Sequence, residues 1–208
     1  MALDMEEQDQ EENLKNLWSK YKNIAFIAIG VFLCLYIAAT FISNKKNKAN
    51  ELASQLYQEV LMEKIDNLEQ IKVKTDLVKK DHSNTPYAGR ASLHLGQLYA
   101  KTGDYDKSIP ELSWAGEKAT ELSIQSLAHY ALAYIYIAKK DATKAKLAAE
   151  AIATPGYKGL KSDLLGDIAL MDGDHEAARS FFNQALDFYK NKSELAQVIQ
   201  TKLDAIGQ

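Results

Sequence analysis

The chain has one cysteine, three prolines and no excess of positive charge, and each shortage excludes something. Cys34 lies inside an apolar run, so the rest of the 208-residue chain can form no intrachain disulfide, cysteine-based zinc site or thiol nucleophile. Such a chain tolerates an oxidising compartment as well as a reducing one. The net charge is −3, and the part after the apolar run is neutral, with 22 basic against 22 acidic residues. Nucleic-acid binding needs a basic stripe to displace counterions, and neither composition nor clustering supplies one. There is no G-x-G-x-x-G, no phosphate loop and no G-x-S-x-G; His82, His94, His129 and His175 form no H-x-x-x-H pair and adjoin no nucleophile motif. No catalytic residue, metal or cofactor is therefore expected. The acidic pair Asp163 and Asp167, four residues apart on one helix face, suits either a cation site or, more commonly, a solvated face.

The run itself, "IAFIAIGVFLCLYIAATFI" at residues 24–42, is 19 residues without a charge, proline, Asn or Gln. At about 1.5 Å per residue a helix of that length just spans a bilayer core of about 30 Å. A cleaved signal peptide fits poorly. Its apolar core is shorter and ends at a small-x-small site, and its head is basic, whereas residues 1–23 form an acidic tail with Asp4, Glu6, Glu7, Asp9, Glu11 and Glu12. Trp18 and Tyr21 suit the headgroup layer. Lysines near the two ends tie, Lys15, Lys20 and Lys22 against Lys45, Lys46 and Lys48, so charge gives no orientation. Gly30, Cys34 and Ala38 recur at spacing four, a small-residue face along which another membrane helix can pack, although small residues are common in such helices anyway.

From Lys45 onward, apolar residues fall at three and four spacing, which predicts helices. Residues 43–88 read as a juxtamembrane helix, with Leu52, Leu56, Val60 and Leu61 on one face, and a second helix near residues 67–80 closed by the turn formers "DHSNTP". A pattern then occurs three times over residues 89–186. Leu95-Gly96, Leu132-Ala133 and Leu165-Gly166 are each followed by Tyr99, Tyr136 and Ala169, then by Asp104, Asp141 and Asp174. Ser108, Ala145 and Ala178 come next, then Leu112, Ala149 and Phe182, then Ala115, Ile152 and Ala185. The separations are 37 and 33 residues.

This series resembles the tetratricopeptide repeat, a unit of about 34 residues in two helices. The resemblance implies an all-α fold: one N-terminal transmembrane helix, then an α-solenoid of helical hairpins, with residues 187–208 as a C-terminal capping helix. The small residue lets two helices approach closely, and the "TGD", "KKD" and "DGD" segments stop one helix and cap the next. Ala149 stands where a large residue is usual, and "TPGYKG" interrupts the middle unit, so irregular curvature is expected. In these repeats the first helix of each hairpin lines a concave groove, which maps the lining onto Arg90, Leu93 and Gln97, then Leu127, Tyr130, Tyr134 and Ile137, then Leu160, Asp163, Asp167 and Leu170. The lysine and asparagine that clamp a terminal carboxylate are missing there. The middle helix, "LAHYALAYIYIA", is apolar nearly all round, which suits either a groove for an apolar polypeptide or a helix buried on both sides.

The acidic tail, the span, "ELASQLYQEVL" and "GLKSDLLGDIALMDGDHEAARSFFNQAL" together resemble the YfgM family of bacterial inner-membrane proteins. That resemblance implies a single-pass protein with a cytoplasmic N-terminus and a periplasmic repeat domain. It also implies an ancillary, non-enzymatic role at the SecYEG translocon, beside a PpiD-type membrane-anchored chaperone, on nascent or unfolded secretory proteins. The same fold also suits a scaffold holding folded partners in envelope assembly, division or stress regulation, and an enzyme would need a polar site on the repeat surface.

Overall fold

The computed structural model describes residues 2–189 and 194–207, with the side chains of residues 2–12 and of Ala25 outside the description. The acidic side chains of the tail and positions 190–193 of the expected capping segment therefore lie outside the described residues. Among the described residues every regular element is helical. These are α1 (Ala2–Met62), α2 (Leu68–Asp81), α3 (Pro86–Lys101), α4 (Tyr105–Lys118), α5 (Leu122–Ala138), α6 (Ala142–Glu150), α7 (Lys158–Met171), α8 (His175–Tyr189) and α9 (Glu194–Ile206), with short 3-10 turns at Ile65–Asn67 and Pro155–Tyr157. Contacts divide the chain into two units, Met1–Lys48 and Ala49–Gln208.

The first unit consists of α1 up to Lys48. Its most apolar 18 residues have a mean hydropathy of 2.4, and none of that stretch is buried. By length and composition it is able to cross a membrane. The Thr40 hydroxyl donates to the Tyr36 carbonyl at 2.9 Å, which satisfies it within the helix, as hydrocarbon surroundings require. Gly30, Cys34 and Ala38 are all exposed on this helix.

The second unit is a series of antiparallel hairpins. Its opening helix is the end of α1, where Val60 of the expected face is fully buried and Leu56 half-buried, whereas Leu52 and Leu61 stay exposed and Ala53, outside that face, is fully buried. The small Ala53 lets α1 approach Val78 of α2 and Ala88 of α3, while Val60 packs with Ile71, Leu95 and Tyr99. Three repeats follow as α3–α4, α5–α6 and α7–α8, with the first helices α3, α5 and α7 side by side. The second helix of the third repeat, α8, continues to Tyr189, past the expected boundary at 187, and α9 is described from Glu194.

Each hairpin turns in the same way. Gly103, Lys140 and Gly173 hold φ of 80°, 58° and 78°, and the next residue's N–H donates back to the carbonyl of Tyr99, Tyr136 or Ala169 at 2.9 Å each. This Schellman geometry ends the first helix. The following aspartate then caps the second: Asp104, Asp141 and Asp174 accept from the N–H of Lys107, Lys144 and Ala177 at 3.2, 3.1 and 3.0 Å. Lys140 has a side chain in a conformation that favours glycine, so the middle turn is the strained member of the three.

The crossing of each helix pair is set by residue size. A Cβ at Gly166 would lie 2.4 Å from the Phe182 ring, and one at Gly96 would lie 2.7 Å from Leu112. The middle hairpin has Ala133 and Ala149 at these places, both fully buried. The small residue at 149 thus compensates for the methyl group at 133.

Two outcomes follow for the full chain in detergent. Gly166→Ala forces Phe182 out of its place and should destabilise by about 1–3 kcal/mol, whereas Gly30→Ala, with open space around it, should leave the denaturation midpoint unchanged. Hydrogen bonds from the Lys144 N–H and side chain hold the Asp141 carboxyl below its usual range, so its contribution is present above the ordinary aspartate pKa and lost as pH falls through the lowered folded value. Asp141→Ala should therefore lower the midpoint at neutral pH and converge with the parent in acid, while Asp141→Asn should keep the cap and lose that pH dependence.

Candidate functional site

The expected lining residues fall on α3, α5 and α7, but they are not equally available. Gln97 and Tyr134 are exposed; Arg90, Leu127, Tyr130, Ile137, Leu160, Asp167 and Leu170 are half-buried; Leu93 and Asp163 are buried. Leu93 is covered because it packs into the main core with Leu112, Ala128 and Leu132, so its place in the lining series does not make it open surface. The aromatic centre is on α5. The Tyr130 and Tyr134 rings meet edge to face with centroids 4.9 Å apart. Burial, reinforced by the hydrogen bond with Tyr134, pushes the Tyr130 hydroxyl well above the ordinary tyrosine range, and Asp163 and Tyr189 lie within electrostatic reach. Tyr134 keeps 42% of its surface open.

The all-round apolarity of α5 is mostly accounted for by its neighbours, since it touches α3, α4, α6 and α7. Ser126, Ala128, Leu132, Ala133 and Ile135 are buried among them. Tyr134 and Leu122 are the large apolar residues of α5 left in the open.

Both ends of the row are charged, and each charge is matched. Arg90 donates through Nε and Nη2 to the two carboxylate oxygens of Glu121, both at 2.7 Å, a bidentate clamp from α3 to the start of α5. Its guanidinium also lies 5.8 Å from the Tyr87 ring, which in turn meets Tyr57 at 5.8 Å. At the other end Lys202 of α9 donates to Asp163 Oδ1 at 2.8 Å and Asp167 Oδ2 at 2.7 Å. The acidic pair is thus neither a solvated face nor a cation site but the seat of an ammonium from the same chain. Burial pushes the Asp167 carboxyl up, against the pull of Lys202. Burial also opposes the charge on Lys202, yet the hydrogen bonds it donates to Asp163 and Asp167 outweigh it and leave its pKa raised.

Glu121, Tyr57, Tyr87 and Lys202 were not expected at this surface. Lys202 stands 35 residues from its nearer acidic partner, and no local spacing reports such a pairing. A third cross-link, Lys79 Nζ to Glu111 Oε2 at 2.8 Å with Ser92 Oγ donating to the same oxygen at 2.7 Å, ties α2, α3 and α4. His94 and His129 are half-buried and burial lowers both; His175 is exposed at the start of α8. No group of three His, Cys, Asp or Glu is placed to hold a metal ion among the described residues.

Comparison with known proteins agrees with this geometry. The model of the tetratricopeptide repeat-like domain family matches residues 15–208. The chain is also similar to a curated protein of Escherichia coli (strain K12) described as an ancillary SecYEG translocon subunit, 23% identical over 209 residues and covering 100% of both chains. No solved structure matches.

The difference between the paired tyrosines is measurable. Nitration attacks the phenolate, so the more open Tyr134 should be modified by tetranitromethane several-fold faster than Tyr130, read by peptide mass spectrometry on the folded chain. Equal rates would mean that the two rings share one exposure.

Proposed function

Since the chain belongs to the tetratricopeptide repeat-like domain family, we propose that it is a membrane-anchored, non-enzymatic adaptor that holds other proteins at the SecYEG translocon. The observation that carries this reading is the end-to-end likeness to the translocon subunit of Escherichia coli, which takes in the apolar helix as well as the repeats. Residues 24–42 cross the inner membrane once, with the acidic tail in the cytoplasm and the repeats in the periplasm. A cysteine-free repeat domain is compatible with that oxidising compartment. The face of Gly30, Cys34 and Ala38 packs against a translocon helix, where small residues allow close approach.

The partners of the repeat domain are a PpiD-type membrane-anchored chaperone and nascent or unfolded secretory chains. Tyr134, with Tyr130 behind it and Gln97 and Ile137 alongside, is the contact surface on α5 and α3. Rigid aromatic rings supply contact area at low entropic cost and tolerate varied apolar sequences. Arg90 is paired with Glu121 and Asp167 with Lys202, which leaves little uncompensated charge there, so binding rests on apolar contact rather than on charge.

Photocrosslinking in native membranes tests the proposal, with the probe placed in turn at positions 130 and 134 of the full chain. Adducts to translocon subunits, to the chaperone or to secretory chains are expected, stronger from 134. Strong adducts to one folded envelope protein and none to SecY would replace the translocon reading with the scaffold reading. Silence at both positions in folded, membrane-bound protein would remove the groove.

A further inference from the structure

The last helix is held differently from the others. α9 fully buries two residues, Ala196 and Ile199, against seven buried in α7. They pack with Ala178, Phe182, Ala185 and Leu186, and Leu203 and Ile206 lie at the edge of the same cluster. Beyond this modest apolar contact, α9 is fastened to α7 by the ammonium of Lys202, seated on Asp163 and Asp167 and 5.5 Å from the centre of the Phe182 ring. The two aspartates hold the places on α7 that Tyr130 and Tyr134 hold on α5, so α9 covers the third hairpin's share of the lining. The outer face of α9 also carries apolar side chains. Leu195 and Val198 are 46% and 54% exposed.

We propose that α9 is a releasable strap: it occupies a helix-docking groove on α7 and α8, with Lys202 as the latch, and a partner's amphipathic helix carrying an ammonium at the same place can take its seat. The inference rests on the adaptor reading for its biological partner but not for its physics. The chemistry of the occupant is set by what lies beneath α9. Small residues at 178 and 185 admit close approach, Phe182 and Leu186 reward an apolar face, and the two aspartates demand a cation one turn further on. A neutral or acidic helix would leave the buried Asp163 without its partner, and an unpaired buried charge is strongly penalised. Tethering gives α9 an effective concentration on the order of millimolar, so only a partner that binds better, or is itself held nearby, can displace it. Weak occupants are thereby excluded.

Hydrogen exchange on the full chain in detergent micelles tests the strap. Amides of residues 194–206 are expected to exchange at least tenfold faster than those of 158–171, and faster again in Lys202→Met. Exchange of α9 in step with α7 would overturn the proposal. Because Lys202→Met strands two carboxylates, a triple variant with Asp163→Asn and Asp167→Asn removes the charge on both sides; α9 should open in it while α7 stays protected. A labelled peptide of residues 194–206 should bind saturably to the full chain carrying Lys202→Met, whose own α9 is loosened, and much more weakly to the parent chain, and Lys202→Glu in the peptide should weaken binding at least tenfold. No binding, or binding indifferent to that change, would overturn the docking groove. Neither result involves the translocon, so failure here leaves the crosslinking test of the adaptor reading untouched.

Discussion

The second unit depends on how closely two helices of a hairpin can approach. In the first and third repeats a glycine, Gly96 or Gly166, removes the one side chain that would keep Leu112 or Phe182 out. The large residue then fills the crossing, and the remaining small residues, Ser108 and Ala115 or Ala178 and Ala185, become fully buried around it. Protein interiors are dense enough that a misplaced methyl group is felt, so this pairing fixes the hairpin geometry and, through it, the spacing of α3, α5 and α7. The middle repeat obeys the same constraint by another route, dividing the volume between Ala133 and Ala149. Its second helix is correspondingly slight, with nine residues in α6 against 14 in α4 and 15 in α8. Lys161 of α7 donates to the carbonyls of Glu150 and Ile152, satisfying the end that the missing turn of α6 would otherwise have covered.

What was legible in the sequence is what repeats locally. Gly103, Lys140 and Gly173 precede Asp104, Asp141 and Asp174 by one residue, and a turn plus cap is a short-range device that three copies make visible. The size series at the crossings was legible for the same reason, including the odd Ala149, although its compensating partner Ala133 gained meaning only once both were seen fully buried. The opening hairpin was harder. Val60 and Leu56 of the expected face do pack, but Leu52 and Leu61 stay exposed and Ala53 packs in their stead, because a small residue permits the approach to Val78 and Ala88. Periodicity alone does not separate two faces one residue apart.

The candidate site was legible only as a set of positions. Tyr130 and Tyr134 are neighbours on one helix turn, and helical spacing brings their rings together. The charges around them follow no such rule. Glu121 lies 31 residues after Arg90, and Lys202 lies 39 after Asp163. Those partners are delivered by the next helix of the stack, so they depend on tertiary placement. Reading Asp163 and Asp167 from α7 alone made them a solvated pair, and α9 made them a closed contact.

That contact also decides what kind of surface the repeats present. Ion pairs taken out of water return little net stability, because desolvation consumes most of the attraction, but they penalise wrong arrangements strongly. Lys79 with Glu111 and Lys202 with Asp163, each with a carboxylate only 9% exposed, thus tie separate helices of the stack, and the more open Arg90–Glu121 pair adds a bidentate link between them. By neutralising one another they also leave tyrosine, leucine and isoleucine as the unmatched chemistry of α5. On the adaptor reading proposed above, a surface of that kind would discriminate poorly among apolar sequences, whereas the proposed Lys202 latch would discriminate by charge. The two proposals together would join a permissive centre to a selective end. That selectivity would reside in α9, a helix that buries two of its described residues and is pinned by one ammonium.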